Sequence, residues 1–549
     1  MRVFFRLLAV MILVCLLAAP ACALAKAYDL WIGETQFTDA CLKIYGITGV
    51  ADYDPQSNTL YLSDFTLNRA GAFEGGTLAA GIYCGMNSLT VSLSGSSKVE
   101  AGASPALSGA EYAAGLYAKG SLSFTGKASA EFIGGASDST LRSFGVYAQG
   151  DLTMTEGSVT GRGGGISRNA VVNDPISPYS CGVVTTGGKI TLLNNAALEG
   201  HAGVSTNSNS GVIAGRGLSM EDNAYLEGSA KTASSSSNGV VVCSGEMRLR
   251  DNAQLVGKGG PDAVCNTGVY AGTFVMEIPG DNTPVYLEDN AKITGSCEYA
   301  VSSTVGLYCL GDLTAQDNAQ IVAIGGPVGY GTGASSEGVR IHDHLTLKGS
   351  AKMTATGGSS DQPNAASHGV YATGSVNVSG KAELNAVCSD APRESKAICC
   401  SGYTGAVVKV EGDAKLTAFA GESSPGMSFG VYTFSYGGEV GTKISGGVTE
   451  AYGVDGGFDK APAVASAYTD AALWYGEDKD AADIAGEQPI EDVAANYSQP
   501  FVRIAPEGFE VAEPPTSLPA TGDGALYAAY ALMMAVCLAA AVVLGRVRA

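Results

Sequence analysis

Charge is scarce in this chain. Only 15% of its 549 residues are Asp, Glu, Lys or Arg, and 32 bases face 53 acids, a formal charge of −21. A polyanion repels phosphate backbones and acidic lipid headgroups, so nucleic acid is excluded as a partner. Other absences narrow the chemistry. No phosphate-cradling glycine loop leads into a helix, no Ser-His-Asp arrangement is spaced for a triad, and the nonapeptide glycine-aspartate pattern of calcium β-rolls is missing. No cofactor is implied. What is abundant is glycine, 75 residues, about twice its average share. With Gly, Ser, Thr, Asn and Ala covering the surface in place of Lys and Glu, the composition suits tightly turning β-structure.

The two ends read as addresses. Residues 1–25 place Arg2 and Arg6 before an apolar stretch and then the small residues Ala21, Ala23 and Ala25, the order of a secretory signal peptide cut after Ala25, with Ala23 and Ala27 as alternatives. Cys22 follows Ala19 and Pro20, a poor fit to a lipoprotein signal. At the other end Leu518, Pro519, Ala520, Thr521 and Gly522 spell LPATG. An apolar run long enough to span a bilayer follows, then Arg546 and Arg548. This resembles the sorting signal of Gram-positive surface proteins, sortase substrates whose Thr carboxyl is joined to peptidoglycan. The resemblance implies cleavage between Thr521 and Gly522, with residues 523–549 holding the precursor in the membrane and the arginines inside. A single-pass anchor with an accidental motif is the alternative. Removing both ends leaves 28 bases against 52 acids.

Between the ends the chain repeats. A Gly-aliphatic-aromatic opening recurs twelve times, at Gly81, Gly115, Gly145, Gly182, Gly211, Gly239, Gly268, Gly306, Gly338, Gly369, Ala397 and Gly430, at intervals of 28 to 38 residues. Each copy continues with a second alternating piece such as "KITLL" or "HLTLK", a turn pair, and a third such as "AYLEG" or "AKLTA". Alternation with no helix between argues for strands, and Asn, Asp and Gly tolerate the positive φ of sharp corners. Three short strands per copy predict an all-β fold, a right-handed parallel β-helix of about twelve coils spanning residues 81–450. Stacked at ~4.8 Å per coil, it is a rod roughly 60 Å long. Residues 26–80 are expected to form the N-terminal cap and first coil, 451–507 the C-terminal cap, and 508–517 a spacer. The start, with "YDLWIGETQ" and "YDPQSNTLYLSDFTL", resembles the opening of repeat-bearing bacterial surface proteins with pectate-lyase-like β-helices. That implies a secreted module, with glycan binding as one expectation and no catalytic residues to carry over.

Alternation also assigns faces. Position two after each opening is aliphatic every time and must point inward, and position four shares its face. Position three then points out, carrying Tyr83, Tyr117, Tyr147, Tyr270, Tyr308, Tyr371 and Tyr432. Such a stripe either stacks sugar rings or pairs tyrosine with tyrosine across coils. The variable length is expected between the third strand and the next opening, covering one side of the rod, where solenoids often bind ligands.

Four other groups carry candidate chemistry. Asn195, Asn223, Asn252, Asn290 and Asn318 fall in register as an amide ladder. Asp222, Asp251, Asp289 and Asp317 beside them either hold Ca²⁺ or cap the turn. His342 and His344 lie two apart on an expected strand, with His201 and His368 elsewhere in their coils, and so lack a third zinc ligand. Asp343 with Arg340 is the nearest approach to a catalytic pair. Ten cysteines remain after processing. An exported protein permits disulfides, but Cys84, Cys309 and Cys400 fall at inward position four, as small hydrophobes. The sequence therefore reads as a wall-anchored, non-enzymatic surface protein for adhesion or glycan binding. A polysaccharide lyase or glycoside hydrolase on the same scaffold is the alternative, and a passive coat component the third.

Overall fold

The computed structural model describes residues 25–509 apart from 103–104, 137–138, 168–178, 273–281, 330–332, 404, 425 and 478–484. Residues 1–24 of the expected signal peptide, the motif Leu518–Gly522 and the apolar tail lie outside the described residues. Among those described, no helix is long and apolar enough to cross a membrane.

The repeat forms because each opening carries large aliphatics on one side of a strand that no single coil can cover. Stacking covers them. Leu116 lies beside Ile82 below and Val146 above, and the pairing continues coil by coil, in parallel, to Val431. The twelve opening strands, from Leu78–Cys84 to Ser428–Ser435, make a parallel β-solenoid of about 11 turns. Position two is fully buried in every coil, and most position-four residues share its core. Each position-two side chain, a Val, Leu or Ile, contributes roughly 1.5–3 kcal/mol on burial. The second strands, such as Ile190–Leu192, and the third strands, such as Ala197–His201, stack in the same way.

The repeat glycine has a steric cause. A Cβ on Gly211 would lie 2.2 Å from the backbone nitrogen of Ser229, on the third strand of the same coil. The opening and third strands thus meet backbone to backbone, closer than any side chain permits.

At both ends the pairing turns antiparallel. Ala27–Ile32 lies against the first opening strand, and Thr59–Asn68 runs beside both Ser88–Ser94 and Ser96–Glu100 while carrying the antiparallel strands Thr48–Asp54 and Lys43–Tyr45. At the far end Phe501–Pro506 covers Val448–Tyr452 and is itself paired with Ala471–Gly476. These strands close edges that would otherwise recruit further strands.

Two expectations are corrected here. Extra length is not confined to one corner, since in the coil of Gly268 it lies between the opening strand Ala263–Ala271 and the second strand Val285–Leu287. His342, Asp343 and His344 occupy the corner between Ser335–Ile341 and Leu345–Leu347, not a strand.

Candidate functional site

The outer face of the opening-strand sheet is where the coils differ, and it is largely covered. Tyr83 is buried, and Tyr117, Tyr147, Tyr270, Tyr308, Tyr371 and Tyr432 are half-buried. The faces of the first five are taken by one another. Phe73, Tyr83, Tyr117 and Tyr147 form a pile with centroids 4.3, 6.0 and 4.4 Å apart and planes within 7°. Tyr270 and Tyr308 stack at 4.7 Å. Between the two piles the row holds Val184, Ile213 and Val241, fully buried in an outer cluster with Phe144, Tyr179 and Cys181. A sugar ring needs a free aromatic face, so these stacks serve the coil-to-coil contact.

In the last coils the same face carries charge. One position before the repeat residue, three successive coils place Glu337, His368 and Lys396 in a column. Glu337 is 1% exposed and His368 3%. His368 Nδ1 lies 3.9 Å from Glu337 and Nε2 3.7 Å from Glu394, and neither nitrogen makes a hydrogen bond. Lys396 Nζ sits 2.6 Å from one Glu394 oxygen and Arg393 3.1 Å from the other. Arg340 lies 3.1 Å from Glu337 and packs over Tyr371, while Lys396 packs over Tyr432 at 3.7 Å. Arg340 thus pairs with Glu337 and not with Asp343, the nearest approach to a catalytic pair that the sequence offered. Burial pushes the Glu394 carboxyl up, but His368, Lys396 and Arg393 outweigh it and hold it below its ordinary value. Burial lowers the Lys396 ammonium, yet Cys399 and Glu394 leave it raised. Two carboxylates, an imidazole and an ammonium are the residue types of acid-base chemistry. As they stand, Glu337 and His368 are closed to any polymer, and the network ties three coils together.

The corner ladder is a self-contained device. Nδ2 of Asn223, Asn252, Asn290 and Asn318 each donates to Oδ1 of the asparagine one coil below, at 3.1–3.2 Å and starting on Asn195. Asp222, Asp251, Asp289 and Asp317 all have φ between 56 and 61°. Their carboxylates accept the backbone N–H of the residue one coil below, Asn194, Asp222, Asp251 and Asp289, at 3.0 to 3.4 Å. The aspartates therefore cap the turn of the neighbouring coil, the second of the two readings that the sequence left open. Among the described residues no group of three His, Cys, Asp or Glu is arranged for a metal. His201 reaches Ser229 at 2.6 Å and Glu199 at 3.4 Å.

All ten cysteines among the described residues are free, eight of them buried, with Cys41 intermediate and Cys265 exposed. Burial pushes the thiols of Cys243, Cys297, Cys309, Cys388 and Cys399 up to about 12. Such thiols stay protonated and unreactive.

No protein-family model, no curated protein and no solved structure matches this chain. Its reading therefore rests on its own residues. One set of them escaped the pattern analysis. Two positions before the repeat residue, Ser143, Ser180, Asn209, Ser237, Ser336, Ser395 and Ser428 are buried outright. Ser180 Oγ donates to Gly164 O and accepts from Gly203 N, both at 2.8 Å, and Ser237 and Ser336 make the equivalent pair. These hydroxyls stitch the loop of one coil to the next. Their signal, Ser-x-Gly at six of the twelve openings, was legible but reads as ordinary polar surface.

Proposed function

We propose that this protein is a non-enzymatic surface protein, joined by a sortase to peptidoglycan through Thr521, whose β-solenoid is displayed to bind glycans. One observation carries the anchoring: a signal-like start, then LPATG, then an apolar run, then two arginines, in that order. The solenoid is compatible with this role and with others, and it supplies a long, stiff body on which a binding surface is held. The anchoring test is fractionation of cells producing the full chain or its Leu518→Ala/Thr521→Ala variant. Muramidase should release the unmodified protein with the wall, and the variant should move to membrane and medium. An unchanged wall fraction would remove the sortase from the account.

A second reading has its own observation in the Glu337–His368–Glu394–Lys396 column, which supplies two acids and two basic groups to one face. A lyase or glycoside hydrolase needs that set. The near-complete burial of Glu337 and His368 counts against it. Reducing-end release from a polysaccharide panel decides between the two readings.

A further inference from the structure

Resting on the glycan-binding reading, the geometry points to a saccharide site at the corner that follows the opening strands of the last coils, a place that borders the tyrosine row at Tyr308. Tyr403 follows the opening strand Glu394–Gly402, and Tyr436 follows Ser428–Ser435 one coil on. They are 80% and 75% exposed, the two most exposed large apolar side chains of the described residues. Their rings are 5.3 Å apart and 20° from parallel, with Phe434 edge-on to Tyr436 at 5.0 Å. The backbone holds the pair in step, since Tyr436 N–H donates to Gly402 O.

The coils below complete a notch. One coil down the corner is Thr373–Gly374–Ser375, small residues with Gly374 buried. Two coils down it is His342–Asp343–His344, with both imidazoles exposed. Tyr403 and the histidines thus stand roughly 10 Å apart, two coils at ~4.8 Å each, over a low floor. Ser375 N–H donates to His344 Nδ1 at 2.9 Å, so in the neutral ring the proton sits on Nε2 as a donor. His342 Nε2 lies 2.9 Å from the Tyr308 hydroxyl.

Charge and size select the occupant. Asp312, whose carboxylate accepts the His344 N–H at 3.0 Å, Asp343 and Glu439 carry the corner's charge, and Glu439 is paired with Lys443 at 2.5 Å, leaving two net negatives on a chain of −21. An anionic polymer is repelled. Two tyrosines offer at most about 500 Å² of contact, well short of the ~800 Å² that a stable protein partner covers. A flat, uncharged pyranose fits, with its C–H face on Tyr403 and its hydroxyls toward His342 and His344. Successive coils space such contacts at about the length of one sugar unit, so the ligand is a neutral oligosaccharide lying along the rod axis.

The test is titration of the full-length protein with cellohexaose, chitohexaose, xylohexaose and a hexauronate, on the unmodified chain and on Tyr403→Ala, Tyr436→Ala, His344→Ala and Tyr45→Ala. Tyr45 is a tyrosine of similar exposure at the opposite end and serves as control. At least one neutral hexamer should bind, with a loss of tenfold or more for Tyr403→Ala and Tyr436→Ala, three- to tenfold for His344→Ala and none for Tyr45→Ala. Unchanged thermal melts would confirm that the folds are intact. Neutral binding that survives Tyr403→Ala and Tyr436→Ala overturns this site and leaves the glycan reading standing. Binding of the hexauronate alone, of a protein partner lost on Tyr403→Ala, or of no saccharide overturns the proposal, and the last also removes the glycan reading.

Discussion

The outer face of one sheet is built in two ways. In the early and middle coils it is a pile of tyrosines followed by Val184, Ile213 and Val241. In the last coils the same face carries Glu337, His368 and Lys396. The inner rows behind both are alike, aliphatic at position two in every coil. The difference teaches where this architecture is constrained. An inward side chain touches its equivalents above and below, so every coil must supply the same kind. An outward row needs only to be satisfied locally, by stacking, by apolar cover or by ion pairs. That freedom is where function has room to enter.

The comparison can be broken most sharply at Glu394. Its removal in Glu394→Ala strands Lys396 and His368 in a dry setting, and losing one partner of a buried pair costs about 3–5 kcal/mol. Hydrogen exchange should accelerate in the coils from Ser335 to Ser435 and leave those around Val146 unchanged. Loss of protection along the whole rod would mean that the two regions are not independent.

Next is Ile213→Ala, which tests whether the apolar stretch depends on packing alone. A deletion of this kind costs about 2–5 kcal/mol, and protection should fall around Val184 and Val241. A change below about 0.5 kcal/mol would show that the cluster is loosely held. Ser180→Ala should cost about 1–3 kcal/mol by leaving Gly164 O and Gly203 N unmatched. Denaturant melts would check it, with Ser139→Ala, in a neighbouring loop, as comparison.

The smallest effect is one of pH. The Glu394 carboxyl is held below its ordinary value, so its contribution is complete above about pH 4.3, the ordinary glutamate value, and is lost as pH falls through the folded value. Stability of the last coils should drop below pH 4 in the unmodified chain, and less steeply in Glu394→Gln. Identical acid limbs would contradict the assignment.

Much of the fold was legible because a solenoid repeats its constraints. One valine between two alternating residues says little, whereas twelve aliphatics from Ile82 to Val431 at one position can only face inward. The Asn and Asp corners were legible for the same reason, although the direction of the aspartates, toward the N–H of the coil below, required the backbone to be in place. The outer face was not legible. Alternation says that Tyr117 points away from the core and is silent on whether Tyr83 and Tyr147 occupy its faces. Nor does a pattern of single residues show that Glu337, His368 and Glu394, 31 and 26 positions apart in sequence, converge. Tyr403 and Tyr436 each stand six positions after their repeat residues Ala397 and Gly430, but in two coils only, too few for a periodicity to mark them.

The central claim is a displayed rod that binds saccharides without cutting them. Its most direct test is a glycan array probed with the wall-released protein, run beside a reducing-end assay on each retained polymer. The account predicts retention on neutral glycans and no new reducing ends. Retention nowhere, or chain cleavage of any retained polymer, would contradict it.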